Sequence, residues 1–147
     1  MDKLLATLFL SRDLAHRAHL QTTSYAQHVA LGSFYEEIIE LADSLAEMYQ
    51  GRHGIIKNIP LLEEDEEDES EDEGEEKESE DESEDESEDE KQTVKPTGIV
   101  KVLENHMDMV EEMRYSAVAK TDTPIQNQID TIVGLYLSTL YKLKNLK

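Results

Sequence analysis

The run from Glu63 to Glu90 constrains the fold more than any other feature of this 147-residue chain. It holds 22 acids, one lysine, four serines, one glycine and no apolar side chain, so it repels itself and has nothing to bury against a core. Ordering it would cost conformational entropy with no compensating burial, which predicts a long disordered acidic insert over residues 62–93. The folded domain must then be assembled from residues 1–61 and 94–147. The entire formal charge of −21 lies in that run, and the remaining 13 acids and 13 bases cancel. The leading reading of the insert is a solubilising spacer. Its Ser-Glu-Asp-Glu repeats from Ser79, Ser83 and Ser87, each serine with an acid three residues on, leave a cation sponge, a nucleic-acid mimic or a phosphorylated tail as sharper readings.

Both flanks read as helix. Leu4, Leu5, Leu8 and Leu14 fall at helical spacing and predict a first helix over 2–20. Ser24 followed three residues later by Gln27 fits a capping box, and Phe34, Ile38, Leu41, Leu45 and Met48 then recur every three or four residues. A second helix is expected over 25–50, closed by Gly51. After the insert, Pro96-Thr97-Gly98 precedes Ile99, Leu103, Met107, Val110 and Met113, a third helix ending near Lys120. Thr123, with Pro124 at the first helical position and Gln126 following, opens a fourth whose apolar positions run from Ile125 through Ile129, Ile132, Tyr136 and Leu140 to Leu143. Two helical hairpins joined by one long connection describe an all-α, ferritin-like four-helix bundle, with the insert in the crossover between helices 2 and 3. The absence of tryptophan and of β-branched runs flanked by turns argues against a sheet.

No apolar run approaches the ~18 residues a membrane-spanning helix needs, and the first residues lack the pattern of a secretory signal, so a soluble, cytoplasmic protein is expected. Zero cysteines remove disulfides, thiolate metal sites and a cysteine nucleophile together. There is no glycine-rich phosphate loop, no Gly-x-Ser-x-Gly elbow and no His-Glu-x-x-His helix. Any metal must be held by imidazole and carboxylate, the donor set that suits iron, manganese or zinc. Three of the five histidines, His16, His19 and His28, fall in the first hairpin. On the second helix Glu36, Glu40, Asp43 and Glu47, spaced four, three and four apart, form one carboxylate stripe, which by itself reads as a solvated helix face. His53 in Gly51-Arg-His-Gly54 reads as a helix-end cation, and His106, among Leu103, Met107 and Val110, as a core or interface histidine; the same caution applies to His19.

The segment from His16 through His28 to Asp43-Ser-Leu-Ala-Glu47 resembles the first hairpin of the Dps-like mini-ferritins. In that family a His near the end of the first helix, a His opening the second, and an Asp-x-x-x-Glu later on the second line a ferroxidase site. Here 12 residues separate His16 from His28, 15 separate His28 from Asp43 and four separate Asp43 from Glu47, in agreement with that pattern. The resemblance is close over residues 14–51 and holds in outline elsewhere. It implies a metal site of His16, His28, Asp43 and Glu47, the histidines from one subunit and the carboxylates from its two-fold partner. It further implies a homo-oligomer, either a dimer or a dodecameric cage, that binds iron or another divalent transition metal, oxidises Fe(II) and so protects DNA. Divergent members of this kind occur in phage genomes, which would place the protein in the host cytoplasm.

The chain also departs from that pattern. Gly32 stands one turn after His28 where the family commonly supplies another acid, Arg17 stands where an aromatic is common, and only fifteen residues precede His16. The family's lysine-rich DNA-binding tail is replaced by Lys3 alone before Arg12, and the insert would repel a polyanion, so no direct DNA binding is expected. The rival reading is a non-catalytic phage accessory protein that keeps the bundle and uses the insert to engage a basic protein partner or to mimic nucleic acid.

Overall fold

The first helix forms where Leu4, Leu5, Leu8, Leu14, Ala15 and Ala18 can share one buried stripe, and it runs as α1, Asp2–Gln21. A three-residue turn leads to α2, Tyr25–His53, whose stripe is Ala30, Leu31, Phe34, Ile38, Ala42 and Leu45. The other two helices are α3, Pro96–Ala117, and α4, Thr123–Asn145. The computed structural model describes residues 1–63 and 96–147; the expected disordered insert therefore lies, from residue 64 to residue 95, outside the described residues. Among the described residues the chain has four helices and no strand, with an irregular segment over 54–63 after α2, and the helices form a four-helix bundle.

Each helix packs on two neighbours: α1 on α2 and α3, and α4 on α2 and α3. The long-range contacts fix their directions. Along α2, Phe34 meets Tyr136, the Leu41 carbonyl accepts from Gln128 Nε2, and Arg52 reaches Asp122, so α4 runs opposite to α2. Glu104 pairs with Lys144 and Arg114 with Asp130, so α3 runs opposite to α4. With α1 and α2 joined by a tight turn, every neighbouring pair is antiparallel and the diagonal pair α2 and α3 is parallel. The end of α2 and the start of α3 consequently sit at opposite ends of the bundle. This is the arrangement that requires a crossover connection.

The core is a continuous column of aliphatic side chains with Phe34 and Tyr136 edge to face at its middle, 5.1 Å between ring centroids at 62°. Each fully buried Leu, Ile or Phe contributes roughly 1.5–3 kcal/mol relative to an exposed one, and α2 alone supplies four of these.

The helix ends differ in detail from the sequence expectations. Ser24 caps α2, accepting from the Gln27 N–H at 3.4 Å, but the return arm of the capping box runs through Thr22: its hydroxyl donates to Gln27 Oε1 and accepts from the Ser24 N–H. Gly51 does not close α2. The helix continues to His53 because Arg52 is held by Asp122 at 2.9 Å, and the chain turns at Gly54, where φ of +87° demands a residue without a Cβ. At the end of α3 the expected stop near Lys120 is moved to Ala117. Buried Gln126 reaches back from α4 and donates through Nε2 to the carbonyls of Arg114 and Val118, supplying partners that a longer helix would have had to provide itself. Asp122, which precedes α4, makes no side-chain cap and serves Arg52 instead, so α4 begins at Thr123, with Pro124 one position further in than expected.

Candidate functional site

The turn between α1 and α2 gathers the three hairpin histidines with Tyr35. Because the helices are antiparallel, His16, one turn before His19, faces Tyr35, while His19 faces His28 and Gly32. His16 stacks on Tyr35 with centroids 4.2 Å apart and planes 23° apart. His19 stacks on His28 at 3.7 Å and meets Tyr35 edge-on at 5.3 Å. Two crossed hydrogen bonds hold the stack: His19 Nδ1–H donates to the His28 carbonyl at 2.7 Å, and His28 Nδ1–H donates to the His19 carbonyl at 3.0 Å. The second bond also satisfies a carbonyl in the last turn of α1, where intrahelical donors run out. A carbonyl acceptor requires the proton on Nδ1, so the neutral form of both rings has its lone pair on Nε2.

Asp43 and Glu47 do not join this group within one chain. They lie 15 and 19 residues beyond His28 on the same straight helix, roughly 22 Å and 28 Å along its axis, and both are exposed. Among the described residues no group of three or more His, Asp or Glu side chains is placed to hold a metal ion. The stacking explains part of that, because an imidazole lone pair lies in the ring plane, and two rings 23° from parallel do not aim at a common point. Around the hairpin end Leu20, Tyr25 and Val29 are exposed at 71%, 83% and 46%, an apolar fringe beside the histidines.

A second polar cluster lies in mid-bundle, where the sequence showed only a histidine among apolar residues. Ser11 of α1 is fully buried, with its Oγ 2.7 Å from His106 Nδ1 and 2.6 Å from the Tyr136 hydroxyl. The direction that leaves no buried hydroxyl hydrogen without an acceptor has Tyr136 donating to Ser11 and Ser11 donating to neutral His106. Burial lowers the His106 pKa to about 4 and pushes the Tyr136 phenol above its ordinary range. A Ser–His pair at this distance suggests a nucleophile, but Ser11 has no path to a substrate, and its hydroxyl is already engaged on both sides. The cluster is structural, and His106 is a core histidine as its neighbours implied. His53 ends α2 with Nε2 3.8 Å from Asp122 and its ring 4.5 Å from that of Tyr49.

The fold and these two clusters define an all-α four-helix protein whose surface chemistry is concentrated at one hairpin. The chain belongs to a family described as "Family of unknown function (DUF5856)", which matches residues 19–116 and so takes in His19, His28, Asp43, Glu47 and His106. Over 143 residues it is 24% identical to the "Uncharacterized 14.6 kDa protein in mobD-ri intergenic region" of Enterobacteria phage T4, covering 97% of this chain and 86% of that one. No solved structure matches the chain. No described helix is long and apolar enough to cross a membrane.

Proposed function

We propose that this is a phage accessory protein that pairs two-fold through the outer faces of α1 and α2 and binds a divalent transition metal between the subunits. His16 and His28 of one copy would hold it with Asp43 and Glu47 of the partner subunit. The observation that carries the reading is the order of exposed side chains along α2: Tyr25, His28 and Val29 open its outer face, and carboxylates follow from Glu36 to Glu47. Antiparallel pairing of that face with its own copy lays each half on its complement, whereas no bend of a single helix could bring the two together. The donors suit the ion, since His28 is carbonyl-anchored with Nε2 available and the carboxylates are hard oxygen ligands. By the Dps-like resemblance the ion is iron, bound as Fe(II) substrate and oxidised, which would protect DNA from peroxide chemistry.

The test is aerobic Fe(II) oxidation together with metal content and solution mass, for the wild type and His28→Ala. The reading requires a dimer or larger assembly with bound metal and a wild-type rate well above buffer that the variant loses. A metal-free monomer oxidising iron at the buffer rate overturns it.

A second reading is favoured by the confinement of the whole −21 charge to Glu63–Glu90. Here the bundle is a non-catalytic carrier, and the acidic run engages a basic protein partner or mimics nucleic acid. Salt-sensitive binding to a basic protein, lost on deletion of residues 63–90, supports this reading over the first.

A further inference from the structure

Of the four arginines in the chain, three meet a carboxylate: Arg17 meets Asp13 at 2.9 Å, Arg52 meets Asp122 at 2.9 Å and Arg114 meets Asp130 at 2.6 Å. Arg12 meets none among the described residues, and its Nε is buried without a hydrogen-bond partner. A charged donor so placed is costly unless an acceptor arrives from elsewhere. The same surface carries matching acceptors. Glu36, Glu40, Asp43 and Glu47 of α2 are exposed, and among the described residues none of them meets a cation. His16, one turn after Arg12 on α1, stacks on Tyr35, so the antiparallel hairpin sets Arg12 level with half-buried Ile39. Asp43 of the same chain stands one turn further along α2 and does not bond Arg12 Nε.

We infer that Arg12 anchors the two-fold pairing by forming a guanidinium–carboxylate pair with Glu36 of the partner subunit. The inference rests on the pairing proposed above and not on its metal chemistry. The register follows from that pairing: where His28 of one copy meets Asp43 and Glu47 of the other, the two-fold axis crosses α2 midway between them, at Glu36 and Glu37. An antiparallel copy then brings its own Glu36 to within roughly 3 Å, along the helix axis, of the level of Ile39 and so of Arg12. A guanidinium suits this place because its planar fork bonds both carboxylate oxygens and sheds water more readily than an ammonium does. The contact is isologous and forms twice, once on each side of the axis, and each time it gives an orphaned donor and an unpaired carboxylate their partners together. A second copy is the occupant that fits, since donor and acceptor lie on one face at either side of the point where the axis crosses.

Sedimentation equilibrium of the full-length protein, with a chelator and again with zinc, tests this for the wild type, Arg12→Glu, Glu36→Arg, the double variant, and Glu112→Arg, which makes the same charge change on an exposed position of α3. The wild type should pair with the chelator present. Arg12→Glu and Glu36→Arg should each weaken association roughly tenfold or more, the double variant should recover it to within about threefold of the wild type, and Glu112→Arg should associate as the wild type does. If the two single variants associate like the wild type, or the double variant recovers nothing, the inference falls and the two-fold pairing stands. If the wild type pairs only with zinc, the metal holds the copies together, and the inference falls while the metal reading stands. A wild type that stays monomeric in both conditions overturns both. If Arg12→Glu lowers thermal stability but keeps the two-fold mass, Arg12 serves its own chain and the inference falls. Should Arg12→Glu fail to fold, Glu36→Arg against Glu112→Arg decides, since both positions are exposed, and equal association of these two variants overturns the inference.

Discussion

The buried Ser11–His106–Tyr136 chain gives the bundle an acid sensitivity that can be worked out from its geometry. His106 is 8% exposed, its Nδ1 accepts from Ser11, and burial lowers its pKa from 6.5 to about 4. The folded state therefore binds the proton less readily than the unfolded chain. The stability linked to this group is present in full above pH 6.5 and is lost as pH falls from 6.5 towards 4. At about 1.36 kcal/mol per pKa unit the full loss approaches ~3 kcal/mol, of which about 2 kcal/mol is gone by pH 5. The structural reason is directional. A proton on Nδ1 removes the acceptor for the Ser11 hydroxyl, reverses the chain, and leaves the buried Tyr136 hydrogen without a partner. Urea unfolding of the wild type and His106→Gln, followed by far-ultraviolet circular dichroism from pH 7.5 to pH 4.5, isolates the contribution of this group, because the two proteins differ nowhere else. With a urea slope of roughly 1–3 kcal/mol per molar, the wild-type midpoint should fall by ~1 M relative to the variant by pH 5. Parallel midpoint curves across that window would refute the assignment of His106 as a neutral acceptor.

Two further substitutions probe the same elements. Ser11→Ala strips the hydrogen-bond partner from both His106 Nδ1 and Tyr136, and should cost about 2–4 kcal/mol in urea unfolding at pH 7; a loss under ~1 kcal/mol would mean that the three groups are not coupled. Gly51→Ala and Gly54→Ala should move thermal stability in opposite directions. The first replaces an exposed helix-interior glycine and gains about 0.5–1 kcal/mol, while the second forces a Cβ onto φ of +87° and loses about 1–2 kcal/mol, and the reverse ordering would put the end of α2 at Gly51 after all.

The four helices were legible because their stripes are long. Leu4 to Leu14, Phe34 to Met48, Ile99 to Met113 and Ile125 to Leu143 each repeat over several turns, and no local accident can hide such a period. The helix ends were less legible for a physical reason. Gly51 carries the same local signal as Gly54, and only Arg52 reaching Asp122, seventy residues later, decides which of them turns the chain. The stop of α3 likewise depends on Gln126, a residue of the next helix. In the site, His16 and His28 could be placed on the hairpin from spacing, but the pairing of His19 with His28 could not, since it needs the turn geometry of Thr22–Ser24 to set the helices in register. The one available hint was Gly32, a glycine one turn after His28 on the face turned towards α1. Tyr136 was legible as a core position of the fourth helix, but its hydrogen bond to Ser11 was not. They are 125 residues apart, and nothing local to either distinguishes a hydrogen-bonded hydroxyl from a solvated one.

Segregated charge makes the proposed pairing testable by salt alone. Outside Glu63–Glu90 the 13 acids and 13 bases cancel, so two bundles approach without net repulsion, and across an antiparallel α2 contact the local terms are attractive: Arg12 and Arg17 of one copy against the carboxylates of the other. The two acidic runs, at −21 each, oppose the same association. The two contributions respond to ionic strength with opposite sign, since the Debye length falls from ~30 Å at 0.01 M to ~8 Å at 0.15 M and screens both. Full-length protein should therefore associate more tightly as salt rises over that range, because relief of repulsion between the runs dominates. Protein lacking residues 63–90 should associate more tightly than full-length at low salt and weaken as salt rises, because only the α2 contacts remain. Sedimentation equilibrium of both forms across the range measures this. If both forms strengthen with salt, the contact between copies is apolar, charge complementarity along α2 does not drive it, and the carboxylate half of the proposed site loses its main support.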